Sequence, residues 1–264
     1  MIIETYCHLD YLKAFPLQEI LSRAQEAGVQ KFITIGVDPD NLDGVMKLAE
    51  DHAPIYFTQG IHPHDAKNFT SVENDKLISR ASHPKMVAIG EIGLDYHYNN
   101  SPPEIQRKVF EQQLQIAVDH DLPIVVHTRE ADEDTRDILK NFTPSLKRKG
   151  VIHSFTSGKA LAEWCLQEGF YLGFNGIITF KNARNVQEVV EITPLEQILL
   201  ETDSPFLTPV PHRGKENAPY YLPFIAEKIA ELKNISVEEV LRVAFSNSLN
   251  CFPKLGNEVE QVVG

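Results

Sequence analysis

Five residues able to bind a metal stand in otherwise apolar runs of the chain: His8, Glu91, His127, His153 and Asp203. Imidazole and carboxylate ligands suit zinc, manganese or iron, and a carboxylate-rich set also takes magnesium. A single histidine or glutamate in such a run is ordinarily a satisfied core residue. Five of them are different, because burying several ionisable groups without a counter-charge is costly. A divalent cation removes that objection, and coordination to it acidifies water enough to make a nucleophile. The chemistry these residue types imply is therefore that of a divalent metal centre. Asp203, a carboxylate beside the metal, is placed for general-base work, and Glu91 sits centrally among the ligand candidates.

The elements that must carry these residues are legible as short apolar runs: 1–9, 31–37, 55–62, 86–94, 123–128, 150–155, 171–177 and 198–203. Most are β-branched or aromatic and nearly continuous in hydrophobicity, as strands of a parallel sheet covered on both faces are. Amphipathic stretches of helical period lie between them, for example 16–28, 103–121 and 158–169, several ending in glycine or aspartate as helix C-termini do. Eight strands alternating with helices predict a single-domain α/β fold over 1–264, a (β/α)8 TIM-like barrel, with closing helices at about 217–255. Ser236 and Glu239 predict a capping box at the start of the last helix. His8, Glu91, His127, His153 and Asp203 then all fall at or near the C-terminal ends of strands, where barrel enzymes place their active sites.

The motifs "TYCHLD", "GIHPHD" (60–65), "AIGEIGLDY" (88–96), "PIVVHTREA" (123–131), "VIHSFTSG" (151–158), "ETDSPFLTPVPHRGKEN" (201–217) and "NSLNCF" (247–252) resemble, in order and spacing, the TatD-related DNases of the amidohydrolase superfamily. The resemblance runs over essentially the whole chain. It implies a TIM-like barrel, one or two divalent metal ions (Mg, Mn or Zn) and phosphodiester substrates. It also implies that Glu91, His127, His153 and Asp203 are metal ligands and that His8 is the second histidine of the family's N-terminal His-x-His. His62 and His64 are then expected to bind a substrate phosphate. Arg129 either binds phosphate too or pairs with Glu130 or Asp132. Asp95 either orients a ligand or caps a turn. His212, Arg213 and Lys215, just past Asp203, either contact phosphate or belong to a solvated loop.

Tyr6 departs from the family pattern. Residues 6 and 8 share a face of an extended strand, so a His pair there pinches a metal. A phenol, with an ordinary pKa of about 10, ligates only if a metal strips its proton. Either one of two metal positions is weakened, or Tyr6 packs at the barrel floor with His8 as a donor behind the ligands.

The bulk properties bound the function further. The 264 residues carry a formal net charge of −12. That field repels nucleic acid, so a phosphate-bearing substrate must be met by local cations or metals. Cys7, Cys165 and Cys251 are few and scattered, which favours a reducing compartment over a disulfide framework. No signal peptide and no membrane-length apolar run is visible, and a cytoplasmic protein is expected, with no membrane and no obligate protein partner. The sequence predicts a metal-dependent deoxyribonuclease or phosphodiesterase using a metal-activated water, with DNA as substrate. The alternatives are a metal-dependent ester or amide hydrolase, such as an aminoacyl-tRNA deacylase, and a degenerate binding protein without catalysis.

Overall fold

The computed structural model describes residues 1–256; residues 257–264 of the predicted domain lie outside that range. Eight parallel strands form one sheet in sequence order: β1 (Ile2–Cys7), β2 (Val29–Gly36), β3 (Ile55–Gln59), β4 (Met86–Asp95), β5 (Ile124–Arg129), β6 (Gly150–Ile152), β7 (Tyr171–Phe174) and β8 (Ile198–Leu200). Seven helices follow the first seven strands: α1 (Leu17–Glu26), α2 (Leu42–Asp51), α3 (Ser71–Arg80), α4 (Pro103–Asp119), α5 (Asp132–Phe142), α6 (Lys159–Gln167) and α7 (Arg184–Ile192). Two more, α8 (Leu222–Lys233) and α9 (Val237–Cys251), are the predicted closing helices. The predicted (β/α)8 barrel is present.

β1, β3, β6, β7 and β8 are shorter than the apolar runs that announced them. β8 stops at Leu200, yet the chain continues alongside β1: the Asp203 N–H donates to the Tyr6 carbonyl (3.0 Å) and the His8 N–H to the Ser204 carbonyl (2.8 Å). This seam closes the barrel. Its lock is Glu4, whose Oε1 accepts from the backbone N–H groups of Tyr6 (3.1 Å) and Thr202 (2.9 Å).

Two apolar layers hold the fold. Ile33, Ile35, Tyr56, Val87, Val125, Val151 and Leu199 fill the barrel interior, together with Phe252 and Leu255. The Lys254 ammonium donates to the carbonyls of Ala81 and His83 just before β4, so this last segment plugs the N-terminal end. A second, larger cluster packs the helices onto the outer faces of the strands. Burial on both faces is the reason the strands read as unbroken hydrophobic runs. The predicted capping box on α9 is half formed. Ser236 accepts from the Glu239 N–H, while the complete reciprocal box sits at Thr70 and Glu73 on α3.

Candidate metal centre

The C-terminal mouth of the barrel opens into a cleft of about 820 Å³, lined by Tyr6, His8, His62, His64, Glu91, His127, Arg129, His153 and Asp203 among others. All eight predicted site residues therefore converge. Glu91 is brought there by an irregularity in β4, where the pairing with β5 slips between Gly90 and Ile92. Such bulges re-aim a side chain. His127 lies inside β5, His153 directly follows β6, and Asp203 sits in the closing seam with a left-handed backbone (φ 57°) that Asp tolerates better than most residues.

Glu91 is the hub. Its Oε1 lies 2.9 Å from His127 Nδ1, 3.6 Å from His62 Nε2 and 3.9 Å from His153 Nε2. Burial alone would raise this carboxyl, but the imidazoles of His62, His127 and His153 reverse the effect and hold it well below the usual range. It stands ready as an anion. The two flanking histidines are each held from behind by another carboxylate. His127 Nε2 lies 3.0 Å from Asp95 Oδ2, and His153 Nδ1 lies 3.0 Å from Glu201 Oε1. Carboxylates in that position fix the tautomer and leave the opposite nitrogen's lone pair for a metal. That opposite nitrogen is the one facing Glu91 in both rings. Asp95 does both jobs foreseen for it, because its Oδ1 also accepts from the N–H groups of His97 and Tyr98 and so caps the turn.

Glu201 was not singled out in the sequence. It is buried, and Ser154 donates to it through its backbone N–H (2.7 Å). A side chain at Gly173 would overlap the Glu201 carboxylate, so β7 needs glycine at that point. The only sequence signal was its place one residue past a buried run.

His62, Glu91 and His127 bring ligand atoms within 4.8 Å of one another. His62 nonetheless differs from the other two. Its Nδ1 accepts from the His64 backbone N–H (3.1 Å). Burial pushes the ring's pKa down to about 3, so it is neutral near pH 7. A neutral ring that accepts at Nδ1 carries its proton on Nε2, the nitrogen aimed at Glu91. His62 is thus arranged as a donor, which matches the phosphate-binding role expected for it better than ligation. His64 approaches Asp95 Oδ2 at 3.0 Å.

On the other side, His8 Nε2 is 3.8 Å from Asp203 Oδ1, and His153 Nε2 is 4.0 Å from Asp203 Oδ2. Burial lowers His8 to about 4 and raises Asp203 to about 7. A neutral imidazole beside a carboxyl poised near neutrality can bind a cation or exchange a proton with water. The donor set thus fits a divalent cation: His62, Glu91 and His127 cluster their ligand atoms, His153 Nε2 lies 3.9 Å from Glu91 Oε1, and Asp203 and His8 adjoin them.

Three sequence-level alternatives resolve. Arg129 pairs with neither neighbouring acid, since Glu130 takes His97 (2.6 Å) and Asp132 takes Ser157 (2.7 Å). Its guanidinium lies over the Tyr98 ring at 4.8 Å and makes no ion pair among the described residues. His212 instead stacks on Tyr221, and Arg213 covers Phe180 and donates to the Thr208 carbonyl, so these two brace the loop after Asp203 rather than line the cleft. Tyr6 packs in the apolar layer of the barrel interior and also reaches the candidate metal centre, donating to Glu91 Oε2 and stacking on His153 with centroids 3.4 Å apart.

Comparison with known proteins agrees with this geometry. The profile of the family described as TatD related DNase matches residues 3–253. A Bacillus subtilis protein, the uncharacterized metal-dependent hydrolase YabD, is 39% identical over 96% of this chain and 99% of its own. The 3'-5' ssDNA/RNA exonuclease TatD of Erwinia amylovora is 37% identical over 84% of this chain and 88% of its own. Among solved structures, the TatD homologue YJJV of Escherichia coli K12 superposes with a TM-score of 0.89 at 31% identity, over 96% of this chain and 98% of that one. No helix of the described residues is long and apolar enough to cross a membrane. The chain belongs to the TatD family of metal-dependent hydrolases.

Proposed function

We propose that the protein is a phosphodiesterase acting on single-stranded nucleic acid, DNA above all. One observation carries the reading: a cation-competent cluster of buried imidazoles and carboxylates faces, across the same cleft, an arginine with no acidic partner among the described residues. A cation centre beside a free guanidinium suits a phosphate better than a neutral carboxylic ester, because the guanidinium fork matches phosphate oxygens. Phe206 and Tyr98, 52% and 55% exposed, flank the mouth and offer rings on which unpaired bases can stack. The exonuclease name of the Erwinia relative points the same way.

Glu91, His127 and His153, with Asp203, would hold the cation. When bound, it supplies Lewis acidity and neutralises phosphate charge. Asp203, its carboxyl raised to about 7 by burial, accepts the proton of the attacking water and is then placed to return it to the departing sugar oxygen. Arg129 and His64 hold the non-bridging phosphate oxygens, and the His62 Nε2–H donates toward the charge that builds on them. Asp95 and Glu201 keep the two imidazoles in register.

The test is a parallel assay with a labelled single-stranded oligodeoxynucleotide, an oligoribonucleotide and an aminoacyl-RNA ester, each with chelator and with added Mg, Mn or Zn. Divalent-dependent release of nucleotides supports the proposal. Cleavage of the ester with both oligonucleotides intact overturns it in favour of a carboxylic ester hydrolase.

A further inference from the structure

Tyr6 is the residue the centre's geometry leaves without a catalytic task, and its position is specific. The hydroxyl donates to Glu91 Oε2, while Oε1 is the oxygen presented to His62, His127 and His153. The ring lies nearly parallel to His153, 12° from coplanar, and edge-on to His8 with centroids 5.3 Å apart. The ring is buried, and the partner of its hydroxyl is the Glu91 carboxylate, to which the phenol donates.

Two donor groups are visible around it. One gathers on Glu91 Oε1. The other is the pair His8 Nε2 and Asp203 Oδ1, 3.8 Å apart. Paired-metal sites hold their ions about 3.5–4 Å apart, a spacing that one carboxylate can bridge. A carboxylate shares by giving one oxygen to each ion. At Glu91, the oxygen available for the second ion is Oε2, and the Tyr6 hydroxyl already binds it. Residue 6 is also the strand position that shares a face with His8, so the phenol fills the space a second nitrogen ligand would need.

We propose that Tyr6 caps Glu91 Oε2 and so makes this a centre for one tightly held divalent cation rather than two. The inference rests on the metal-dependent reading of the site, not on the identity of the substrate. A negative nuclease assay leaves it standing, and a positive one does not establish it.

The test is direct counting. Chelator-stripped protein is titrated with Mn²⁺ and with Zn²⁺, with equivalents and affinities read by calorimetry and, for Mn²⁺, by electron paramagnetic resonance. The wild type is expected to bind one strong equivalent, with no exchange-coupled Mn pair and no ultraviolet phenolate band on loading. Tyr6→Phe keeps the ring and its stack on His153 but frees Oε2. It is expected to bind its second equivalent at least about tenfold more tightly than the wild type does, because the ion no longer has to displace a hydrogen bond to a charged carboxylate. Tyr6→His adds a ligand and should take up two strong equivalents. Two equivalents of similar affinity in the wild type would overturn the proposal. So would a phenolate band, which makes Tyr6 a ligand instead of a cap, or a Tyr6→Phe titration superimposable on the wild type. Should Tyr6→His fail to fold, the wild type and Tyr6→Phe titrations still decide.

Discussion

Glu91 concentrates the site's electrostatics on one carboxylate, and its substitution separates charge from shape. Glu91→Gln keeps the size and can still accept from Tyr6, but it removes the anion on which His127 and His153 converge. Even partners behind a ligand are worth 10–100-fold in metal affinity or activity, so loss of the hub is expected to cost at least about 100-fold in both. The metal-free melting temperature and circular dichroism spectrum should stay close to wild type; near-wild-type turnover at saturating metal would remove Glu91 from the centre. His64 tests the opposite case. It faces the cleft and contacts Asp95, which keeps two backbone donors without it. His64→Ala is therefore expected to raise KM several-fold while leaving the number of bound metal equivalents unchanged. Loss of bound metal with KM intact would move His64 into the ligand set.

At the scale of elements, the seam between β1 and the segment after β8 carries a pH dependence of its own. Glu4 is fully buried there, and burial raises its carboxyl to about 8 against hydrogen bonds from Thr202 and Tyr6 that work the other way. Its Oε2 has no partner. A carboxyl with a raised folded-state pKa binds its proton more tightly folded than unfolded. The stability it gives is present in full below its unfolded value of 4.5 and is lost as pH rises through about 8. The shift corresponds to a change on the order of a few kcal/mol. Glu4→Gln keeps the Oε1 acceptor and cannot ionise. The metal-free variant should lose less stability than the wild type between pH 5 and about 8, measured by urea unfolding across that range. Equal pH slopes in the two proteins would show that Glu4 is ionised throughout. The sequence disclosed the strands but not this seam. Apolar runs report burial, whereas strand ends are set by hydrogen-bond partners. "ILLETD" therefore overran β8 by three residues, and "GVIHSF" overran β6 by as much. The candidate metal ligands were legible because His, Asp and Glu stand out in apolar runs. Their supports were not. That Asp95 backs His127, that Glu201 backs His153 and that Tyr6 reaches Glu91 are facts of tertiary placement, fixed by a slipped register in β4 and a missing side chain at Gly173.

The whole molecule carries a net charge of −12, an unusual background for a protein whose proposed substrate is a polyanion. Its long-range field works against capture of DNA, so affinity must come from the mouth. There the cations are few. Arg129 is a guanidinium without an acidic partner among the described residues, and the histidines around it are neutral or engaged with carboxylates. Binding a single strand releases counterions in proportion to the phosphates neutralised, with a slope of about −0.7 per phosphate in log affinity against log salt. One or two phosphates held at the mouth predict a slope between about −0.7 and −1.4. This shallow dependence suits an enzyme that grips a strand end at one metal-bearing cleft, with Phe206 and Tyr98 adding stacking that salt barely affects. The measurement is the affinity of a non-hydrolysable single-stranded oligonucleotide at fixed divalent concentration, from about 50 to 200 mM monovalent salt. A slope steeper than about −3 would mean that the strand is tracked over several phosphates by a basic surface. The acidic field and the single arginine that lines the mouth without an ion pair among the described residues both argue against such a surface, and Arg129→Ala should flatten the slope by about 0.7 if its guanidinium holds one phosphate.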